Sequence, residues 1–300
     1  MKGLIIKGIG GFYYVMTQEG EVVEAKGRGI FKKDKITLLV GDEVEIQMTD
    51  RDGAKGVINS IFPRKNQFAR PPISNVDMFI VVFAAKNPRP NYSVIDKFLI
   101  NSQLNGIEPV ICINKKDLVS ERDIDAIRDI YGKIYRTVAV SARTGEGTDD
   151  LRAMIKGRRA ALAGPSGAGK SSIINLLHPK ADMETGEVSR KTMRGRHTTR
   201  HVEIFSLVGG GLLFDTPGFT SFDLPDIDED RLKYYYPEFA EFNDLCRYDD
   251  CRHLKEPDCA VLAAVAGGRI NNRRYEAYVS NYEELKRRKR YCNIHFLIMR

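Results

Sequence analysis

No run of about eighteen uncharged apolar residues occurs in this 300-residue chain, so the sequence signal of a membrane-spanning helix is missing. The opening stretch MKGLIIKGIGGFYYVMT carries Lys7 inside what would be the apolar part of an export signal and lacks a small-residue cleavage pattern. A cytoplasmic protein without a membrane partner is expected. Cysteine is scarce: five residues, an odd number for a disulfide framework. Three of them crowd with a histidine into residues 246–259, which in a reducing compartment suggests metal ligation rather than crosslinking. No internal repeat or low-complexity tract is visible, and a repeat architecture is not indicated.

What is present is enough for two or three cores, since 42% of the residues are hydrophobic and the length exceeds one typical domain. The net charge of +7 is unevenly placed. Residues 221–259 hold 12 acidic and 5 basic side chains, whereas residues 260–300 hold 9 basic and 3 acidic ones. The run ELKRRKR fits a solvated helix face and a polyanion-binding face equally well.

Residues 1–69 alternate β-branched and aromatic stretches with glycine and charged turns, without a helical period. They predict a small five-stranded Greek-key barrel of the oligonucleotide-binding type, its ligand being RNA or protein. RPPISNVD, residues 70–77, breaks the pattern with two prolines and marks a boundary. Over 70–220 buried apolar strands alternate with helices at about 94–105, at about 121–132 and from Thr148, which predicts an α/β domain with a mostly parallel sheet. Residues 221–300 read as a helical, loop-rich module around the cysteines.

Within the middle segment, GPSGAGKSS follows the apolar strand AALAG. Gly164, Gly167 and Gly169 allow the tight turn in which the amides of Gly164, Pro165 to Gly169 and the following helix converge on phosphate oxygens, proline itself contributing only its fixed φ. Lys170 adds a cation near the β and γ phosphates, Ser171 is placed to ligate Mg²⁺, and Ser172 completes the stretch. A phosphate loop does not select a base. That choice rests on NKKD, in which Asp117 can accept from the ring N–H and the exocyclic amine of guanine, a pairing that adenine cannot offer. The stem of Lys115 would cover the base, Asn114 would tie this loop to the phosphate loop, and in SARTGEG the Ser141 and Ala142 region falls where a guanine O6 contact belongs. In LLFDTPG, Asp215 would orient a metal-bound water and the Gly218 N–H would meet the γ-phosphate; Thr198 or Thr199 would supply the second Mg²⁺ hydroxyl.

The base tetrad therefore precedes the phosphate loop, the reverse of the usual order. With a barrel before it and a cysteine cluster after it, the chain resembles the circularly permuted GTPases of the ribosome small-subunit-dependent GTPase A family (RsgA/YjeQ/YloQ). The resemblance implies GTP and GDP as ligands, hydrolysis stimulated by the small (30S) ribosomal subunit late in its maturation, contact with its rRNA, and a monomer. It also puts His197 beside the switch threonines in the role of water positioning, because Phe219 stands where many GTPases carry glutamine; an exposed histidine without catalytic duty is the equal alternative. The cluster CRYDDCRHLKEPDC would give Cys246, Cys251, His253 and Cys259 as ligands of one structural Zn²⁺, three thiolates and an imidazole filling a tetrahedral set. Cys112 and Cys292 read as ordinary reduced thiols. Tyr275, Tyr278 and Tyr282, interleaved with Arg273 and Arg274, fit either an RNA-stacking strip or a helix packing face, the latter favoured by the spacing. Two rival functions are a P-loop kinase or ATPase, which the tetrad argues against, and an RNA or ribosome tether with an inert nucleotide site.

Overall fold

The computed structural model describes residues 1–49, 55–69, 71–178, 202–215 and 223–298, with side chains along the last helix described to residue 288. Strands β1 (Lys2–Ile9), β2 (Phe12–Thr17), β3 (Val22–Gly27), β4 (Glu43–Met48) and β5 (Lys55–Ile61) close on themselves, with a short helix α1 (Gly29–Lys33) between β3 and β4. The order β1-β2-β3-β5-β4 returns to β1 through the β1–β4 pairing, and only β3–β5 is parallel. Alternation sends Val15, Val23, Ala25, Val44, Ile46 and Ile58 into the barrel, none more than 1% exposed.

The proline-rich stretch after the barrel does more than interrupt it. Strand β6 (Gln67–Ala69) pairs with β7 (Pro72–Ser74), and Pro72 is tolerated because it opens a strand at the edge. Fully buried Asp42 fastens this connector to the barrel by accepting from Arg64 Nε at 2.7 Å, Ser74 Oγ at 2.6 Å and Leu39 N at 2.8 Å.

The central layers comprise β8 (Met78–Ala84), α2 (Tyr92–Leu104), β9 (Glu108–Asn114), α3 (Glu121–Tyr131), β10 (Arg136–Ala139), α4 (Thr148–Ile155), β11 (Arg159–Ala163), α5 (Lys170–Leu177), β12 (Glu203–Ser206) and β13 (Leu212–Asp215). The strands lie in the order β10-β9-β8-β11-β13-β12, all parallel except β12. The chain winds outward from β8 to β10 and then returns to place β11 on the other side of β8. The loops after β8 and β11 thus flank the crevice at the carboxyl ends of the strands where winding reverses, the position at which open α/β sheets bind ligands. One join was not legible beforehand: β1 pairs with β12 at Lys7↔Glu203, reinforced by an ion pair of 2.7 Å, so barrel and central sheet are continuous.

The last segment holds 3-10 turns between Glu229 and Phe239, then α6 (Ala240–Asn243), α7 (Ala260–Ala266) and α8 (Asn272–Ile298). Its core is formed by Leu232, Tyr236, Phe239, Phe242, Val261, Tyr278 and Tyr282, joined by Ile100 from α2. Tyr278 and Tyr282 are each 1% exposed, and the Tyr275 hydroxyl donates to His253 O at 2.9 Å. The tyrosines are therefore a packing face. Arg274 is buried as well, with Nε donating to Glu238 Oε1 at 2.7 Å and Nη1 paired with Asp96 of α2.

Candidate nucleotide and metal sites

Strand β11 delivers the chain to the crevice through Gly164, whose φ of 141° is open to glycine and where an added Cβ would fall 1.9 Å from the carbonyl oxygen of Val82. The loop then turns through Pro165, exposed Ser166 and Gly167 to buried Ala168. At Gly169, also at positive φ, a Cβ would fall 2.2 Å from Asn114 Nδ2. Glycine is required at both points by close approach. Helix α5 begins at Lys170, with Ser171 and Ser172 in its first turn, so its free amides face the crevice. Lys170 Nζ donates to the carbonyls of Gly164 at 2.7 Å and Pro165 at 2.9 Å. Burial lowers its pKa to about 8, because desolvation disfavours the ammonium form.

Asn114 is the joint between the two motifs. Its side chain is 1% exposed; Nδ2 donates to Ala168 O at 2.8 Å, and Oδ1 accepts from Ala142 N at 3.1 Å. One amide thus connects the tetrad, the phosphate loop and the SA motif, although they are distant in sequence. Lys115, held at φ 60°, sends its ammonium to Asn87 O in the loop after β8, and Pro88 of that loop lies beside Gly167.

Asp117 has both carboxylate oxygens engaged. Buried Ser141 donates from Oγ to Oδ1 at 2.6 Å, and Arg143 donates from Nε to Oδ2 at 2.8 Å. The Ser141 hydroxyl first, and the Arg143 guanidinium after it, hold the carboxyl below the usual carboxylate range against the opposing effect of burial. Lys116 bridges Glu146 at 2.6 Å and Glu121 at 2.9 Å, clamping the tetrad to the SARTGEG loop. Arg143, Asn87 and the Lys116 clamp escaped sequence reading. Only Arg143 had a signal, its place directly after the SA pair.

Asp215 ends β13 next to β11, buried at 9% exposure. His197, Thr198, Thr199, Gly218 and Phe219 lie outside the described residues.

The cysteine cluster forms a compact donor set. The ligand atoms of Cys246, Cys251, His253 and Cys259 all lie within 4.8 Å of one another and could hold a metal ion. Cys246 Sγ is 3.9 Å from Cys259 Sγ, and His253 Nδ1 is 3.5 Å from Cys246 Sγ and 3.4 Å from Cys259 Sγ. His253 Nε2 faces Asn243 Oδ1 at 2.9 Å. An amide oxygen only accepts, so Nε2 carries the proton and the Nδ1 lone pair points into the cluster. Burial lowers the imidazole pKa to about 4 and keeps it neutral, and burial pushes the Cys251 thiol up to about 12. Buried Cys112 is likewise raised to about 12 and stands apart; the Cys292 side chain is outside those described.

The nucleotide site sits within a matched region, and the cysteine cluster lies beyond it. The RsgA N-terminal domain model matches residues 2–58 and the RsgA GTPase model matches residues 61–225. The chain belongs to the RsgA GTPase family. It is 45% identical over 296 residues to the small ribosomal subunit biogenesis GTPase RsgA of Caldanaerobacter subterraneus subsp. tengcongensis, covering 98% of this chain and 99% of that one. The protein of the same description in Alkaliphilus metalliredigens is 45% identical over 291 residues, covering 97% and 99%. Among solved structures, YjeQ from Thermotoga maritima superposes with a TM-score of 0.81 at 36% identity, covering 95% of this chain and 98% of that one. YloQ, described as a circularly permuted GTPase, gives 0.80 at 37% identity, covering 96% and 95%. The family's permuted order is the order seen here, with β8 to β10 preceding the phosphate-loop strand β11.

Proposed function

We propose that this protein hydrolyses GTP in the maturation of the small ribosomal subunit, and that the bound nucleotide governs its hold on that subunit. The observation that carries the reading is Asn114, whose amide closes the tetrad, the SA pair and the phosphate loop into one pocket. Its relatives, described as small ribosomal subunit biogenesis GTPases, supply the partner.

In this reading the phosphates lie against the loop formed by Gly164, Pro165, Ser166, Gly167, Ala168 and Gly169, with Lys170 neutralising charge between the β and γ positions. Asp117 accepts from guanine, the Lys115 stem covers the base, and the Ala142 backbone beside Ser141 meets O6. Ser171 and Asp215, with Thr198 or Thr199, would hold Mg²⁺, which would neutralise charge that develops on the transferred phosphoryl group. Gly218 would sense the γ-phosphate, and His197 would orient the attacking water.

Cys246, Cys251, His253 and Cys259 would hold Zn²⁺. A tetrahedron with metal–sulfur bonds of about 2.3 Å and a metal–nitrogen bond of about 2.0 Å has edges of roughly 3.5–3.8 Å; the separations among Cys246, His253 and Cys259 run from 3.4 to 3.9 Å, and Cys251 Sγ lies within 4.8 Å of each. With four protein donors the ion would serve folding alone.

Exposed aromatic–cation pairs on the barrel, Lys26 over Phe12 at 4.4 Å and Lys2 over Phe62 at 4.9 Å, suit a surface that meets RNA phosphates and bases. The basic end of α8 adds Arg287 and Arg288. Among the described residues no helix is long and apolar enough to cross a membrane, and we place the protein in the cytoplasm as a monomer. The test is GTP turnover with and without purified 30S subunits, ATP serving as the control. Turnover unchanged by 30S subunits would leave only a nucleotide-binding tether; a preference for ATP would overturn the base assignment.

A further inference from the structure

We infer that Arg143 competes with guanine for Asp117 and thereby sets both the affinity and the base selectivity of the pocket, an inference that rests on the guanine reading above. The two oxygens of Asp117 are held in different ways. On Oδ1 the partner is built in: Ser141 is buried, and its Oγ accepts from Thr144 N at 3.2 Å, which turns the hydroxyl proton toward Asp117 at 2.6 Å. On Oδ2 the partner is removable, since the Arg143 side chain is 75% exposed and extends from a surface turn.

A guanidinium edge and the guanine edge present the same pattern, neighbouring N–H groups in a plane facing a carboxylate. Guanine meets the carboxylate with one lone pair on each oxygen; Oδ1 keeps a second lone pair beside the Ser141 hydroxyl, whereas Arg143 stands on the exposed side of Oδ2, so seating guanine with its ring N–H and amine on Asp117 requires Arg143 to swing away. Adenine makes no such demand. A ligand that leaves Asp117 untouched lets Arg143 stay, and the carboxylate is never stranded. The arginine therefore subtracts from guanine binding alone, while leaving the binding of other bases unchanged relative to the free protein. Its contribution is bounded by the exchange of one solvent-exposed ion pair, which corresponds to about a two- to fivefold change in affinity, and added salt should erase it.

The experiment measures dissociation constants of GTP, GDP and ATP for the full-length protein and its Arg143→Met variant, at low and at high salt. Methionine keeps an unbranched stem that can still lie along a base but removes the donor. GTP and GDP should both tighten about two- to fivefold in the variant, by the same factor because the contact is at the base, with ATP unchanged and the gap closing at high salt. Guanine affinity that is unchanged or weakened, a parallel gain for ATP, or a gain insensitive to salt would each overturn the role of Arg143. The wild-type chain separates this from the underlying reading: if it binds GTP no better than ATP, the guanine pocket itself is refuted, whereas a clear wild-type preference with an unaltered variant removes Arg143 only.

Discussion

Replacing Arg274 by methionine removes the cation that serves two buried carboxylates at the interface between α8 and the central domain. Asp96 of α2 is fully buried, Glu238 is 9% exposed at its side chain, and Arg274 at 1% exposure serves both while the rings of Tyr236, Tyr131 and Tyr135 pack on its guanidinium at 4.6, 5.4 and 5.7 Å. Breaking a buried pair by deleting one partner costs about 3–5 kcal/mol, and here two carboxylates would be stranded. Burial already raises Asp96 to about 6, against the pull of Arg274. A folded carboxyl raised above its unfolded value binds extra protons below its folded pKa, so stability falls as pH rises from the unfolded value toward about 6. Without the cation that decline extends to higher pH. The variant's deficit should therefore be smaller near pH 5 and larger near pH 8.

Two readouts distinguish where the loss falls. If the whole chain melts together, the urea midpoint at pH 8 drops by about 1–2 M. If undocking the last module costs less than that, the midpoint holds, while amides of α2 and α8 lose protection against hydrogen exchange. Adding Asp96→Asn and Glu238→Gln to the variant should restore much of the loss, since uncharged amides need no cation. A variant within about 0.5 kcal/mol of wild type at pH 8, with α2 and α8 equally protected, would refute the reasoning. This substitution is also a better probe of coupling than ending the chain near Leu224, because truncation would uncover Asp96, Ile100 and the rest of the α2 face at once. We expect the undocked variant to keep basal GTP binding and lose stimulation by 30S subunits.

Asp117→Asn should move base preference from guanine toward xanthine, because the asparagine amide can donate to the carbonyl that replaces guanine's amine; equal GTP and XTP affinities before and after would remove Asp117 from the base site. Affinity for GDP should be level below pH about 8 and fall as pH rises through it, by up to about tenfold per pH unit, because phosphate favours the charged form of a lysine that burial has lowered. A flat profile from about pH 7 to about 9.5 would take Lys170 away from the phosphates. Metal analysis should find about one zinc per chain, and Cys251→Ala should unfold the last module while sparing nucleotide binding, since a structural metal supplies folding free energy to a small module. A fully folded, metal-free protein would count against that assignment.

The sequence by itself determined the pieces whose chemistry is local. A phosphate loop needs glycines where backbone must turn at positive φ and approach a neighbour, and Gly164 and Gly169 do both. A base tetrad needs its carboxylate at a strand end, and Asp117 follows β9 closely. The candidate metal donors fall within residues 246–259, short enough for spacing to be informative. Hydrophobic alternation likewise marked the barrel strands, and helix periods marked α2, α3 and α4 to within a few residues.

Tertiary structure decided whatever depends on pairing across long separations. A run in which tyrosines alternate with arginines reads alike on a wet face and a buried one; α8 buries Arg274, Tyr278 and Tyr282 because α2 brings Asp96 and Ile100 against it. The β1–β12 join leaves no mark in either strand, since edge backbone groups carry no residue-specific pattern. The proline stretch looked like a break, yet Pro72–Ser74 forms one strand of a hairpin, because fully buried Asp42 of the barrel accepts a hydrogen bond from Ser74 Oγ. Asn114 is the intermediate case. Its motif predicted the link to the phosphate loop, but the second bond, from Ala142 N, exists only because the parallel sheet sets the ends of β9 and β10 side by side.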